Sequence, residues 1–193
     1  MPSRTEIEVK ALTASNWDDL VELFGPERGA AGRCWCMFWR QTKPEWKART
    51  NEGNRSKLRR LIKPRAAPGL VAYRNGKPVG WTSVAPRQQF PRLNGSQYLG
   101  PVDDKPVWAI VCFYIRRGHR KSGVATALLD AAVKEASKRG ARIVEGYPLA
   151  GSTESGDAWT GVPSMFERAG FREVERRHPS RPIMRKTIRA KKR

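Results

Sequence analysis

Alternating apolar and polar residues indicate β-strands at both ends of the chain. Residues 7–12, IEVKAL, alternate in this way, and residues 69–86 hold two β-type runs on either side of Asn75 and Gly76. Asn-Gly is the turn pair that accepts positive φ angles, so this stretch predicts a β-hairpin. A final pair of strands is predicted within residues 171–189, broken near His178 and Pro179.

Helical spacing of apolar residues predicts helices between these strands. The first begins at a cap at Ser15 or Asn16, and residues 44–62 form one or two helices broken near Gly53. The clearest helix follows Gly123, because its apolar residues recur at i, i+3, i+4, i+7, i+8 and i+11. They are Ala125, Leu128, Leu129, Ala132, Val133 and Ala136, with Gly140 as the C-terminal cap.

Two further strands and a long connection complete the pattern. Residues 107–115 and 141–149 read as strands, and a short helix closed by Gly170 follows. The connection 86–106 is long for a compact domain, and such loops are usually functional. We expect it to lie over the mouth of a binding site. Together the elements predict one α/β domain, 5–189, followed by a basic tail, 190–193, that we expect to be disordered.

Composition narrows the class of protein. The chain has 193 residues, three cysteines and two histidines, too few for the usual zinc sites, so we expect reduced thiols and no metal. The apolar run 107–115 is about half the ~20 residues of a membrane helix. The first ten residues hold no apolar signal core. We therefore expect a cytoplasmic protein without a membrane partner.

The net charge of +20 is the most unusual property of the chain. Residues 40–65 and residues 172–193 each carry ten Lys or Arg against two Glu. This excess can serve solubility or weak, nonspecific nucleic-acid binding. No RNA-recognition, zinc-finger or clear helix-turn-helix signature accompanies it. The sequence leaves both interpretations open and favours the first.

The segment GHRKSGVATALL, which begins at Gly118, has the G-x-x-x-x-G spacing of a phosphate loop. A nucleotide-hydrolysing loop continues with Lys and then Ser or Thr, whereas Val124 and Ala125 stand here. A basic glycine turn before a helix still binds anions, because free amides and the helix dipole favour negative charge. The loop therefore predicts a site for a diphosphate that stays unbroken, as in a carrier cofactor.

At this loop the sequence resembles the GNAT superfamily of N-acyltransferases. Arg120, Gly123 and Ala125 match its R/Q-x-x-G-x-G/A signature, and MFERAGF, from Met165 to Phe171, is similar to its LYxxxGF segment. The resemblance covers about residues 5–189. It implies a mixed, mostly antiparallel sheet that splays at the cofactor strand, with helices on both faces. It also implies acetyl transfer from acetyl-coenzyme A to an amine acceptor, either a small molecule or a peptide, by direct attack.

The same resemblance implies the binding residues. The strand before the loop would pair with the pantetheine arm, and the loop amides would hold the pyrophosphate, with Phe166 packing against the arm. The implied cofactor residues are Phe113, Tyr114, Ile115, Arg120, Lys121, Ser122, Gly123, Val124, Ala125 and Phe166. The family often has a tyrosine at the Phe166 position to protonate the thiolate, so water, Ser164 or Tyr147 would replace it, or the thiolate would leave unprotonated.

The acceptor side is less defined by the sequence. Glu145 is a candidate proton acceptor, or a strand glutamate paired with an arginine. Trp35 and Trp39 either pack in the core or line the acceptor pocket, for which Trp81 and Tyr147 are further candidates. A coenzyme A-binding or nucleic-acid-associated module without turnover is the alternative function. The chain is expected to be a monomer or a homodimer.

Overall fold

A computed structural model of the protein describes residues 6–64, 66–151 and 158–188. Within these ranges the chain forms seven strands and six helices, apart from short 3₁₀ turns. In chain order they are β1 Ile7–Ala11, α1 Trp17–Phe24, α2 Lys43–Lys47, α3 Asn51–Arg60, β2 Gly69–Arg74, β3 Lys77–Pro86, α4 Pro91–Asn94, β4 Trp108–Ile115, α5 Val124–Lys138, β5 Ile143–Gly146, α6 Pro163–Arg168, β6 Arg172–Glu175 and β7 Ile183–Thr187. The predicted tail, 190–193, lies outside the described residues.

The strands form one mixed sheet in the order β1-β2-β3-β4-β5-β7-β6. Only β4 and β5 pair in parallel; the other neighbouring strands in these ranges are antiparallel. The predicted hairpin is β2 and β3, and its turn residues Asn75 and Gly76 have φ angles of 52° and 73°. The fold class predicted from the sequence is therefore confirmed.

Side chains of alternate strand residues pack against helices on opposite faces of the sheet. Leu70 and Ala72 lie in the core beneath α5 and α6, while Val71 and Tyr73 lie in the core with α1 and α3. Two cores on the two faces are the arrangement that period-two alternation produces in a sheet covered on both sides. No helix among the described residues has the length and apolar character needed to cross a membrane.

One sequence prediction about local structure was displaced and another was wrong. The region 44–62 forms two helices, but the break lies before Thr50 and not near Gly53, because the Thr50 side chain caps α3 by accepting a hydrogen bond from the Gly53 amide at 3.0 Å. The connection 86–106 does not line the main cavity of the described structure. Its apolar residues Phe90, Leu93 and Leu99 are buried in a third core cluster, so the segment is packed rather than placed over that cavity.

The junction of β4 and β5 positions the site. Three residue pairs join the strands, from Trp108 with Val144 to Ile110 with Gly146, and beyond Ile110 the strands are no longer paired. The register with β3 also shifts there, since Ser83 pairs with Cys112 and Val84 with Ile110. The extra residue is a β-bulge, which bends its strand. The sheet therefore opens along the second half of β4.

Candidate acetyl-transfer site

A cavity of about 840 Å³ lies where the sheet opens. Its walls come from the second half of β4, the loop before α5, the first turn of α5, the segment 158–165, and the segment 30–39 that follows α1. Eight of the ten sequence-predicted cofactor residues line it: Phe113, Tyr114, Ile115, Arg120, Lys121, Gly123, Val124 and Ala125.

The main chain of β4 presents polar groups to the cavity. The Arg116 amide donates to the Val79 carbonyl of β3 at 2.9 Å. Because residues of an antiparallel strand point their main-chain groups alternately toward and away from the partner strand, the amide and carbonyl groups of Phe113 and Ile115 point away from β3. The Phe113 amide donates to the Trp159 carbonyl at 2.6 Å. Ile115 presents the next amide along the same edge, which an extended, amide-containing ligand could pair with.

The loop before α5 has the conformation of an anion-binding turn. Lys121 and Gly123 have φ angles of 56° and 87°, and Gly123 is the N-cap residue of α5. In the described part of the chain, no acceptor receives a hydrogen bond from the amides of residues 120–126. Arg74 holds the loop from outside by donating to the Ser122 carbonyl at 3.0 Å. Successive free amides in such a turn converge on negative charge.

Aromatic side chains form the opposite half of the cavity. The ring of Trp159 lies 5.7 Å from Phe38 and 5.9 Å from Trp39, and Phe38 lies 5.2 Å from Trp46, between ring centroids. Arg92 stacks on Phe38 at 4.4 Å. All four aromatic residues line the cavity. Of these four residues, the sequence predicted only Trp39 as part of the acceptor pocket. Segment 30–47 and Trp159 are far apart in the chain and come together only in the folded protein.

Three of the four predicted acceptor residues do not line this cavity. Trp35, Trp81 and Tyr147 are at most 1% exposed. The Trp35 indole donates to the Asn51 side chain at 2.8 Å, and Trp81 packs in the core beneath α1. Trp35 therefore packs in the core, as one of the two sequence alternatives held. The prediction that Trp81 and Tyr147 line the acceptor pocket was wrong, because both side chains are buried behind the cavity wall.

Two predicted cofactor residues also lie behind the cavity wall. Phe166 is fully buried, and its ring fills the space over Gly146, where a Cβ would lie 2.0 Å from a ring carbon. The Ser122 hydroxyl donates to the His119 carbonyl at 2.6 Å and is not part of the wall. Phe166 thus supports the wall through Phe113, whose ring centroid is 6.2 Å away, instead of facing the cavity.

Glu145 is fully buried in an ion cluster away from the cavity. Its carboxylate accepts from Arg87 at 2.7 Å on one oxygen and from Arg185 at 2.6 Å on the other. The Tyr147 hydroxyl donates to the same oxygen as Arg87, and burial raises the pKa of this hydroxyl well above its usual value. Arg185 also binds Asp103, whose pKa it lowers to about 2.

This geometry corrects the prediction that Glu145 accepts a proton. Two carboxylates and two guanidinium groups balance each other, and both oxygens of Glu145 are already hydrogen-bonded. A fully buried carboxylate that is held by two cations and is absent from the cavity wall is not placed to take a proton from a substrate. The alternative in which the glutamate pairs with arginine describes the structure.

The comparison with protein families identifies the chain. The model of the acetyltransferase (GNAT) family matches residues 18–147, more than half of the sequence. The chain belongs to the GNAT acetyltransferase family. Acetyl-coenzyme A is the cofactor of this family, as the resemblance implied. No curated protein matches the chain.

Solved structures show the same fold at low sequence identity. The PaiA N-acetyltransferase of Thermoplasma acidophilum, solved with coenzyme A, has 15% identity and a TM-score of 0.53, covering 95% of this chain and 99% of that one. A GCN5-related N-acetyltransferase of Kribbella flavida has 17% identity and a TM-score of 0.55, covering 94% and 98%. An aminoglycoside N-acetyltransferase in complex with coenzyme A has 16% identity and a TM-score of 0.53, covering 91% and 94%.

The residues of the cavity fit coenzyme A. The amides of the loop are free of hydrogen bonds within the described residues. A Cβ atom placed on Gly123 would have the Ile7 side chain, at 3.9 Å, as its one near neighbour, so a ligand can approach the backbone closely there. Arg120 and Lys121 line the cavity beside these amides. The buried Nδ1 atom of His119 has no partner among the described residues. Such a set of cations and unsatisfied polar atoms suits a diphosphate.

Proposed function

We propose that this GNAT protein transfers the acetyl group of acetyl-coenzyme A to a primary amine by direct attack. The observation that carries the proposal is one cavity bordered by free loop amides at one end and by the unpaired edge of β4 in its middle. The first feature suits a diphosphate, and the second suits the amides of a pantetheine arm. When bound, acetyl-coenzyme A supplies the thioester that the amine attacks.

Each part of the cavity then has a separate role. The amides of residues 120–125, with the side chains of Arg120 and Lys121, hold the diphosphate. The Ile115 main chain pairs with the pantetheine arm, and Phe113 joins this pairing once its amide leaves the Trp159 carbonyl. Because Glu145 does not reach the cavity, the proton of the attacking amine passes to water. Coenzyme A is a good leaving group, since a thiol of this kind has a pKa near that of cysteine, ~8.5.

The aromatic half of the cavity supports an acceptor amine attached to an apolar or aromatic body. Phe38, Trp39, Trp46 and Trp159 give a large apolar surface, and aromatic rings stack best on flat, apolar groups. Arg49 and Arg92 already occupy the outer faces of Trp46 and Phe38, at 4.1 and 4.4 Å. A second positive charge on the acceptor would lie near these guanidinium groups, so a diamine is disfavoured.

An acceptor screen tests the function. Release of free coenzyme A thiol is measured with 2-phenylethylamine, tryptamine, putrescine, an amino acid and a lysine peptide. We expect turnover above the no-acceptor rate with the aromatic amines and little with putrescine. If calorimetry shows coenzyme A binding but no amine is turned over, the result would support a binding module without enzymatic activity. The absence of both coenzyme A binding and turnover would reject the proposal.

A pair of tryptophan variants tests the acceptor half. Trp46→Leu removes an aromatic wall of the cavity, whereas Trp108→Leu removes a similarly half-buried tryptophan that stacks on Arg139 at 4.6 Å outside it. We expect Trp46→Leu to raise the KM for the amine about tenfold, with coenzyme A affinity unchanged. The same KM increase in Trp108→Leu would mean that the effect is structural.

A further inference from the structure

A second cavity, of about 350 Å³, lies at the other end of α5 from the cavity of the candidate acetyl-transfer site. The N-cap residue of α5, Gly123, lines the first cavity, and its C-cap residue, Arg139, lines the second. The 15 residues of α5 separate its two ends by about 22 Å. No described residue lines both cavities, and the volume of the second is enough for a small molecule.

Positive charge without a matching carboxylate distinguishes the second cavity. Arg40, Lys63 and Arg139 line it, and no aspartate or glutamate of the described residues does. None of the three cations takes part in an ion pair within the described part of the chain. Most of the remaining wall is apolar, with Met37 and Leu61 among its side chains. Cations gathered around an apolar space favour an anionic ligand.

Arg40 is the most informative of the three cations, because its charge is buried. The residue is 9% exposed, and its guanidinium group donates to two neutral acceptors, the Gln89 side chain at 2.9 Å and the Pro68 carbonyl at 3.2 Å. A guanidinium group has five N–H bonds, of which these contacts use two. The buried Nε atom is among those that have no acceptor in the described residues. Burial lowers the pKa of Arg40 to about 10, so the group is still charged at neutral pH. An anion in the cavity would supply the compensating charge that a buried cation requires.

Neutral contacts hold both guanidinium groups in place. Arg40 donates to the Pro68 carbonyl, and Arg139 donates to the neighbouring Ala67 carbonyl at 3.2 Å. Each guanidinium group also lies over an aromatic ring, at 4.5 Å for Arg40 and 4.6 Å for Arg139. These contacts fix the two groups without cancelling their charge. Planar guanidinium groups bind phosphate oxygens through paired N–H bonds, and groups that are already fixed lose less entropy on binding.

We propose that the second cavity binds a small phosphate monoester with an apolar body. The phosphate dianion would lie against Arg40, Lys63 and Arg139, because three cations exceed what a single carboxylate requires. The apolar body would lie against Met37 and Leu61, since the cavity is larger than a phosphate ion alone.

The segment 36–40 separates this site from the first cavity. Phe38 and Trp39 line the first cavity, whereas Met37 and Arg40 line the second. A ligand on Arg40 would therefore contact the segment that carries two aromatic walls of the acceptor half. The proposal does not rest on acetyl transfer, because binding in the second cavity needs neither acetyl-coenzyme A nor an amine.

Calorimetry with phenyl phosphate at physiological ionic strength tests the site. We expect one bound phenyl phosphate per chain, with at least about tenfold weaker binding of benzoate and of inorganic phosphate, which lack the second charge and the apolar body. Gly123→Glu blocks the loop before α5, the other phosphate site, and should leave this affinity unchanged. No binding at millimolar phenyl phosphate overturns the proposal. Equal binding of benzoate or inorganic phosphate does so too, and so does binding that Gly123→Glu abolishes.

A pair of neighbouring variants locates the ligand. Arg139→Gln removes a half-buried cation of the second cavity, whereas Lys138→Gln, the matched control, removes an exposed cation that lines neither cavity. Both variants change the net charge equally. We expect Arg139→Gln to weaken phenyl phosphate binding at least about tenfold and Lys138→Gln less than about twofold. Equal affinities of the two variants would show diffuse attraction to the basic surface and overturn the proposed site.

Discussion

At the scale of single residues, Glu145 shows how burial decides the role of a carboxylate. It lies on β5 beside the opening of the sheet, yet Arg87 and Arg185 reach it from 58 and 40 positions away in the chain. Local sequence carries no signal of such distant partners. The carboxylate therefore holds three segments together instead of serving the reaction.

The variant Glu145→Gln tests this structural role. It leaves two buried guanidinium groups with one carboxylate, and we expect it to lower the free energy of unfolding by roughly 3–5 kcal/mol. Glu173→Gln is the control, because its ion pair with Arg176 is exposed and its loss should change the free energy of unfolding little. Denaturant titration measures both. A stable Glu145→Gln protein that has lost turnover would restore the proton-accepting role.

The backbone at Gly123 gives a second residue-scale prediction. Gly123→Glu places bulk and negative charge at the diphosphate site, so we expect coenzyme A affinity to fall by about 2 kcal/mol, or about thirtyfold. Gly140→Glu is the matched control, since Gly140 has almost the same φ angle, 88°, at the far end of α5. Both variants should lose similar stability. Equal calorimetric affinities for coenzyme A would contradict the assigned diphosphate site.

At the scale of elements, α6 packs against β5 where an aromatic ring covers a glycine. The Phe166 ring covers Gly146, and Phe171 packs against the same ring with a centroid distance of 5.1 Å. A side chain at Gly146 would occupy the space of the ring. The contact fixes α6, and with it part of the cavity wall, against the diverging strand.

Phe166→Tyr would bury a hydroxyl in this contact. We expect it to lower the free energy of unfolding by roughly 1–3 kcal/mol, because the ring is fully buried in an apolar cluster and the added hydroxyl loses its water there, and not to raise turnover. Phe38→Tyr, on the partly exposed cavity wall, should cost little stability. Thermal unfolding and acetyl-transfer rates decide it. A faster Phe166→Tyr enzyme would mean that the hydroxyl reaches the cofactor sulfur.

Elements defined by local signals could be predicted from the sequence. The β2–β3 hairpin follows from Asn75 and Gly76, and α5 follows from its apolar spacing and from Gly123 and Gly140 at its ends. The cofactor loop belongs to this class, since it lies between two such elements. The aromatic half of the cavity, the second cavity and the partners of Glu145 depend on contacts between distant segments, which periodicity does not encode.

At the scale of the whole molecule, the +20 charge exceeds what a diphosphate site requires. The loop supplies Arg120 and Lys121 to the cavity, while most basic residues of 40–65 and 172–188 lie elsewhere. A positive surface of this kind attracts any polyanion at low ionic strength, and salt screens the attraction over about 10 Å at 0.1 M. Charge alone therefore does not define a nucleic-acid site.

A gel-shift salt series with tRNA and duplex DNA tests the charge. We expect weak binding at low salt that disappears by physiological salt, because only diffuse phosphate contacts are formed. If the basic surface binds the nucleic acid and the loop before α5 does not, added coenzyme A should leave nucleic-acid binding unchanged. Tight binding that persists at physiological salt would instead support the nucleic-acid-associated module.

The opening between β4 and β5 limits the main-chain pairing between two parts of the sheet. In the described residues three residue pairs join the backbone of β1–β4 to that of β5–β7, and side chains of the Glu145 cluster and of the apolar cores also cross the junction. Parts of a sheet with little main-chain pairing between them can open separately, and amide hydrogen exchange reports each one. In the free protein, β5–β7 should exchange sooner than β2 and β3. Coenzyme A, bound along both walls of the opening, should slow amide exchange in both parts of the sheet together. The two parts would then open as one cooperative unit only when the cofactor is bound.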